Sequence, residues 1–440
     1  MNKLSAYWQS LRTPDRYFNI SYTLMMPMML LLPFTVFFMW PIAVALLALW
    51  VCQWNWYEKW ENFKQNDGIP YGFFMLGIFL IPILGLPNST NKSIAWSVFE
   101  GNIWFLFAPL IFLTTSAKLW SRRHISTLFI LFSTGEIILL AFFFIRGIYN
   151  TIETGLIDSM FNNIFCFGWH HAYVSLYATF VYFLIFHYIT ENNRNIPKKR
   201  RILLYTVAIF LTINIFCLYS RSGILIFLLM HLIWSGYAIY RKPSRWKCFA
   251  GIILLIFSFF TILILLAPTN RFTEYYLSLE HERDNDKQTD GRLIIWQAAW
   301  DSAVENLPWG VGTGDGDEVI MNKYHENGHW IGYHHPYNAH NQFLSALLTN
   351  GIPGLVLVLL YFYTPLGLAI KHRDIFLLTI FLLMFLNCLV ECMFDRRAGV
   401  DFFAIMIPLL ILRCKSLTMY NEQCTMNNVQ IYNSPITIHQ

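Results

Sequence analysis

The chain has 440 residues, of which 56% are hydrophobic, 18% aromatic and 13% charged, and its net charge is +5. Soluble domains carry about a quarter charged residues, so this balance excludes an ordinary soluble enzyme and predicts an all-α polytopic membrane protein. The positive excess is spread over short turns, which excludes a nucleic-acid surface, and the eight cysteines lie mostly in apolar runs without a CxxC pair, which excludes a disulfide or zinc framework.

A hydrocarbon core about 30 Å thick takes roughly 20 helical residues to cross. The opening MNKLSAYWQSLRTPDRYF is polar and basic, and is expected to be a cytoplasmic tail rather than a cleaved signal. Apolar runs then predict spans near 18–38, 40–56, 71–87, 97–118, 124–147, 168–190, 201–219, 221–241, 246–267, 342–370, 374–393 and 398–413, twelve in all. Pro27, Pro33 and Pro41 interrupt the first two, which equally fit a re-entrant pair. The expected organisation is nine spans over 1–267, one large polar loop over 268–341 with a helix in GRLIIWQAAWDSAVENLPWG (291–310), three spans over 342–413, and a polar cytoplasmic tail over 414–440.

Basic residues are retained in the cytoplasm, so alternate loops can be assigned by their Lys and Arg. The N-terminal tail and the segments 58–65, 118–124, 194–201, 241–247, 371–373 and 413–415 carry them and are expected inside. The segments 87–93, 148–167, 219–222, 268–341 and 395–399 then face outward, and the remaining unusual polar residues gather in them.

An arginine at membrane depth costs about 2.5–3.5 kcal/mol on insertion scales and needs a reason. Arg221 lies between two apolar spans in CLYSRSGILIFLLMH, where Ser220, Ser222 and Gly223 permit a tight turn; the alternative is a snorkelling turn residue. Arg146, Arg396 and Arg397 stand at outer ends of spans, where a lone arginine is more often an interfacial anchor. Arg292 opens a helix after Asp290 and Gly291, a position disfavoured for cations unless an anion binds there. Several outward guanidiniums and a helix start suit a phosphate or pyrophosphate. His340 ends the polar loop one residue before the next span, where an imidazole can act as a general base, although an interfacial structural histidine is the default for one standing alone. The cluster His325, His329, His334, His335 and His340 is irregularly spaced for zinc, and GVGTGDGDE (310–318) reads as a tight turn rather than a P-loop or calcium loop.

The run His340-Asn341, nine residues, then Gly351-Ile352-Pro353-Gly354 resembles the H-[NSQ]-x9-G-x-x-G pattern of the O-antigen ligase and polymerase superfamily. The SRSG turn (220–223) and DGRLIIWQAAWDSAVENLPWGVGTG (290–314), similar to the conserved block of that family's large periplasmic loop, agree with it. The resemblance implies about twelve transmembrane helices of the C-type membrane glycosyltransferase class, in the bacterial inner membrane with the active site facing the periplasm. The implied reaction is a metal-independent, cofactor-free, inverting transfer of a glycan from undecaprenyl pyrophosphate to lipid A-core. On this resemblance Arg221 and Arg292 hold the donor pyrophosphate and His340 activates the acceptor hydroxyl; Gly351 and Gly354, one turn apart, permit close packing or leave room for lipid. Asn341 belongs to the same motif, and with Arg146 and Arg396, which no motif marks as sharply, it completes the substrate-binding candidates. The alternative is a polymerase whose acceptor is a second lipid-linked repeat unit; a protein O-oligosaccharyltransferase, a lipid-linked glycan transporter and an assembly protein rank lower.

Overall fold

A computed structural model describes residues 14–34, 39–192, 195–241, 291–327 and 337–433. The expected span 246–267, the first part of the polar loop, and His329, His334 and His335 lie outside the described residues. Among the described residues the chain is helical, and six helices are long and apolar enough to cross a membrane.

In chain order the helices are α1 (Pro14–Leu31), α2 (Met39–Cys52), α3 (Trp56–Gln65), α4 (Gly68–Gly85), α5 (Lys92–Gly101), α6 (Trp104–Ala108), α7 (Arg122–Thr154), α8 (His171–Asn192), α9 (Lys198–Cys217), α10 (Arg221–Arg241), α11 (Gly291–Glu305), α12 (Gly316–Glu326), α13 (Gln342–His372), α14 (Ile375–Val390) and α15 (Arg397–Asn433). Helices therefore stand at every expected span outside 246–267. The six that meet the crossing criterion are α4, the α5–α6 run to Leu113, α7, α8, α9 and α13. The chain bends by 114° between α2 and α3, where the apolar run of the second expected span gives way to the expected basic loop 58–65. The second arm, WYEKWENFKQ, is amphipathic and cannot continue an apolar span.

Local chemistry sets the boundaries. Ser121 accepts from the His124 amide at the start of α7, and Gly155, at φ +67°, ends that helix in the left-handed conformation. Asp374 caps α14 by accepting from the Phe376 amide at 2.8 Å. The segment after 413, expected as a polar tail, is helical to Asn433 as a continuation of α15, with neither glycine nor proline between Pro408 and Pro435.

The centre of the bundle is α15, buried on all sides from Val400 to Leu412, as its unbroken DFFAIMIPLLIL demands. Phe402 packs its ring against Phe132 of α7 and Tyr177 and Phe180 of α8. Polar contacts divide the ends of the bundle in the pattern of the basic residues. At one end Lys415 pairs with Asp67 at 2.9 Å, Arg413 with Asp374 at 2.5 Å, and Asn66 donates to the Leu113 and Thr115 carbonyls. At the other, Tyr173 donates to the Cys392 carbonyl, Tyr177 to that of Ala398, and Thr90 and Asn91 amides donate to Asp315.

Candidate functional site

The second end is where the singled-out polar residues meet, and α13 organises it. Its first turn is capped by Asn341, whose side-chain oxygen accepts from the amides of Phe343 at 2.9 Å and Leu344 at 3.1 Å. Cap formation holds Asn341 extended, and His340 before it takes a left-handed φ of +42°. Such a conformation is costly for a histidine and persists only where its surroundings enforce it. Three contacts do so: the Asn338 side chain accepts from the His340 amide at 3.1 Å, the Trp296 indole donates to the His340 carbonyl at 3.4 Å, and the imidazole Nδ1 meets the Glu391 carboxylate at 3.1 Å.

Glu391 follows the last residue of α14 and is 7% exposed. Burial alone would push its carboxyl up, but the hydrogen bond and charge of His340 outweigh this and hold it below the ordinary carboxylate value. An ionised Glu391 accepts from Nδ1–H, which leaves the lone pair on Nε2. Nε2 has no protein partner among the described residues, so the imidazole is oriented on one side and open on the other. This is the arrangement of a general base with its orienting carboxylate.

Arg292 is the second residue of α11, one turn before the Trp296 that bonds the His340 carbonyl. Arg221 opens α10. The turn before it is closed by Ser220, which accepts from the Gly223 amide at 3.2 Å, and Gly223 seats against Ser175, where a Cβ would come within 2.2 Å of the serine oxygen. The SRSG turn thus brings the start of α10 onto the start of α8. Arg146 is placed differently: it donates to the Ile164 carbonyl at 2.8 Å and lies 4.2 Å from the Phe167 ring centroid, bracing the connection between α7 and α8. Arg396 and Arg397 precede and open α15 beside Trp169 and His170.

The glycines of the motif have a structural task. Gly351 breaks the helical path of α13 with φ +62° and ψ −153°, a region closed to side-chain-bearing residues, and its Cα faces the Pro308 carbonyl so closely that a Cβ would sit 1.9 Å from that oxygen. Through this notch the turn 308–315 docks on α13: Ile352 donates to Pro308, and Val311 and Gly312 donate to the carbonyls of Leu348 and Thr349. The GVGTGDGDE segment is the tight turn expected, and its Asp315 fastens the loop ahead of α5.

Sequence reasoning missed Glu391, Trp296, His170 and Asn338. Only Glu391 left a signal, as an acid at the outer edge of an apolar run (374–393) that was counted as part of the span. Trp296 had no mark among 16 tryptophans.

The arrangement defines a polytopic helical membrane protein with an oriented histidine and several arginines at one end of its bundle. Residues 206–359, about a third of the chain, match the O-antigen ligase family, which supports a place in the O-antigen ligase superfamily. The matched segment runs from within α9 into α13 and contains Arg221, Arg292, His340, Gly351 and Gly354; Arg146, Glu391 and Arg396 fall outside it. A search of curated proteins found no match.

Proposed function

We propose that the chain is a ligase of the bacterial inner membrane that transfers a glycan from undecaprenyl pyrophosphate to lipid A-core, with its site on the periplasmic face. The observation that carries this reading is the His340–Glu391 pair, 3.1 Å apart, at the end of the bundle away from the basic loops, with His340 inside the family-matched segment. Lys and Arg retention in the cytoplasm favours the periplasm for that end.

In this mechanism Nε2 of His340 takes the proton of an acceptor hydroxyl. The hydroxyl oxygen attacks the anomeric carbon of the donor sugar from the face opposite the leaving group, and the bond from that carbon to the pyrophosphate oxygen breaks with inversion. Arg221 and Arg292 hold the pyrophosphate and stabilise the charge it gains, a role guanidinium fills through paired hydrogen bonds without a metal or other cofactor. Glu391 keeps the imidazole in the productive tautomer and offsets its positive charge. Asn341 acts through its cap on α13, holding His340 in place, and Arg146 supports the neighbouring loop.

The test is reconstitution in nanodiscs with an undecaprenyl-pyrophosphate-linked glycan and either lipooligosaccharide or a second lipid-linked unit. Glycan attached to lipooligosaccharide supports the ligase; chain growth on the lipid-linked unit alone makes the protein a polymerase. His340→Ala should bind donor normally and transfer about 100- to 10,000-fold more slowly. Loss of donor binding in His340→Ala with normal transfer in the Arg221 and Arg292 variants would overturn the roles assigned.

A further inference from the structure

A cavity of about 330 Å³ lies between the outer end of α1, the start of α8 and the start of α15. Its volume falls in the roughly 300–1,000 Å³ range of small-molecule sites. One wall is aromatic, with Trp169, Tyr173 and Tyr177; the other presents Arg396 and Arg397. His170 stands between them, within electrostatic reach of Arg396, Glu391 and His340.

The Tyr173 and Tyr177 hydroxyls of this cavity donate to backbone carbonyls, but its basic groups are less well met by protein. Among the described residues neither guanidinium has a carboxylate within ion-pair distance or a side-chain hydrogen bond; Arg397 lies over the Trp40 ring at 4.9 Å. Neighbouring acids are engaged elsewhere: Glu391 with His340, and Asp395 with the Asn338 side chain at 2.8 Å. Asp401 of α15 lies within electrostatic reach of Arg397 and is fully enclosed in the bundle. The buried Nδ1 of His170 also lacks a hydrogen-bond partner. Burial pushes the His170 imidazole down to about 4, so near neutral pH it offers one N–H donor and one acceptor rather than a third positive charge.

We propose that this cavity is the acceptor subsite and that it takes a phosphorylated sugar of the acceptor glycolipid. Two guanidiniums match phosphate oxygens, while the negative face of an aromatic ring receives the polarised C–H face of a sugar. The position favours the acceptor over the donor. A general base must touch the attacking hydroxyl, and the cavity adjoins the ring side of His340 through His170 and Glu391, whereas α11 reaches its carbonyl side through Trp296. The assignment rests on His340 being the base of a glycan transfer.

The probes are lipooligosaccharide with its phosphates intact and the same material dephosphorylated with hydrogen fluoride. Their binding to the full-length protein in nanodiscs is measured for wild type, Arg396→Gln and Arg396→Lys, alongside binding of an undecaprenyl-pyrophosphate-linked glycan. Wild type should prefer the phosphorylated form. Arg396→Gln should weaken that form about tenfold or more, the scale of a lost charge-assisted contact, and change the dephosphorylated form less than about twofold. Arg396→Lys should recover part of the loss. Equal affinities of wild type for the two forms, or an Arg396→Gln loss confined to the pyrophosphate donor, would overturn the assignment. Phosphate-dependent binding through Arg396 without any transfer by wild type would refute the transferase reading and keep the subsite; transfer with no dependence on phosphate or Arg396 would do the reverse.

Discussion

Replacing Glu391 by glutamine tests whether the carboxylate orients the base. Gln keeps the shape and one acceptor oxygen 3.1 Å from Nδ1 but removes the charge. A hydrogen bond to a charged group contributes about 1.5–3 kcal/mol. If that difference is felt in the transition state, where the imidazole gains a proton, then at 1.36 kcal/mol per decade kcat falls by about 10- to 150-fold. Donor affinity should not change, because Glu391 faces the histidine and not the arginines that open α10 and α11. The assay is turnover and donor binding for Glu391→Gln, His340→Ala and the double variant in the same nanodisc preparation. Residues that act as one unit are not additive, so the double variant should be no slower than His340→Ala. A double variant slower by the product of the two single effects, or a fully active Glu391→Gln, would refute the reasoning.

Gly351→Ala should lower the thermal unfolding midpoint, since forbidden backbone geometry alone costs about 1–3 kcal/mol and the Cβ would also strike the Pro308 carbonyl; Gly236→Ala, in an open stretch of α10, should be neutral or slightly stabilising. Asp315 sits below the ordinary carboxylate value: burial pushes it up, but the Asn91 and Thr90 amides and Lys92 prevail. Its contribution is therefore present above its unfolded value of about 3.9 and is lost as pH falls through the lower folded value, so wild type should lose stability at acid pH more steeply than Asp315→Asn in pH-dependent thermal melts. Glu136 of α7 and Asp401 of α15 have buried carboxyl oxygens without hydrogen-bond partners in the described structure. Glu136→Gln and Asp401→Asn should hold or raise the unfolding midpoint, and a drop in both would mean that the acids serve a partner.

The helical architecture was legible because apolar runs near 20 residues leave few alternatives in a bilayer, and His340, Gly351 and Gly354 stood out because they share one spaced motif, with Arg221 and Arg292 marked by two separate segments. What sequence reading missed lies in long-range geometry. Glu391 is 51 positions from His340 and becomes meaningful only when the end of α14 meets the start of α13. Asn341 reads as a substrate contact by its motif, yet its side-chain oxygen is occupied by the first amides of α13. Arg146 and Arg396 look alike as arginines at outer span ends, but one bonds a loop carbonyl and the other faces a cavity. Composition has no term for that difference. The bend after Cys52 falls where the second expected span gives way to the basic loop 58–65, because WYEKWENFKQ is amphipathic and leaves the apolar path.

The position of the chemistry follows from where helices begin. α8, α10, α11, α13 and α15 all start at the end of the bundle that holds His340, and three of them start at or beside an arginine: Arg221, Arg292 and Arg397. A helix start carries about half a positive charge, and a cation there is unfavourable by roughly 0.3–1 kcal/mol at each terminus. Basic residues at a helix end are stabilising at the other terminus, where Lys371 and His372 stand in the last turn of α13. A fold that gathers several helix starts and adds guanidiniums to them concentrates positive charge at that end, and an anion bound there is favoured. In the transfer proposed above, the donor pyrophosphate would bring its charge to that place, and the charge would grow as the sugar bond breaks, so the interaction would strengthen along the reaction rather than only on binding. Stabilisation of that kind speeds transfer instead of merely tightening the complex with donor.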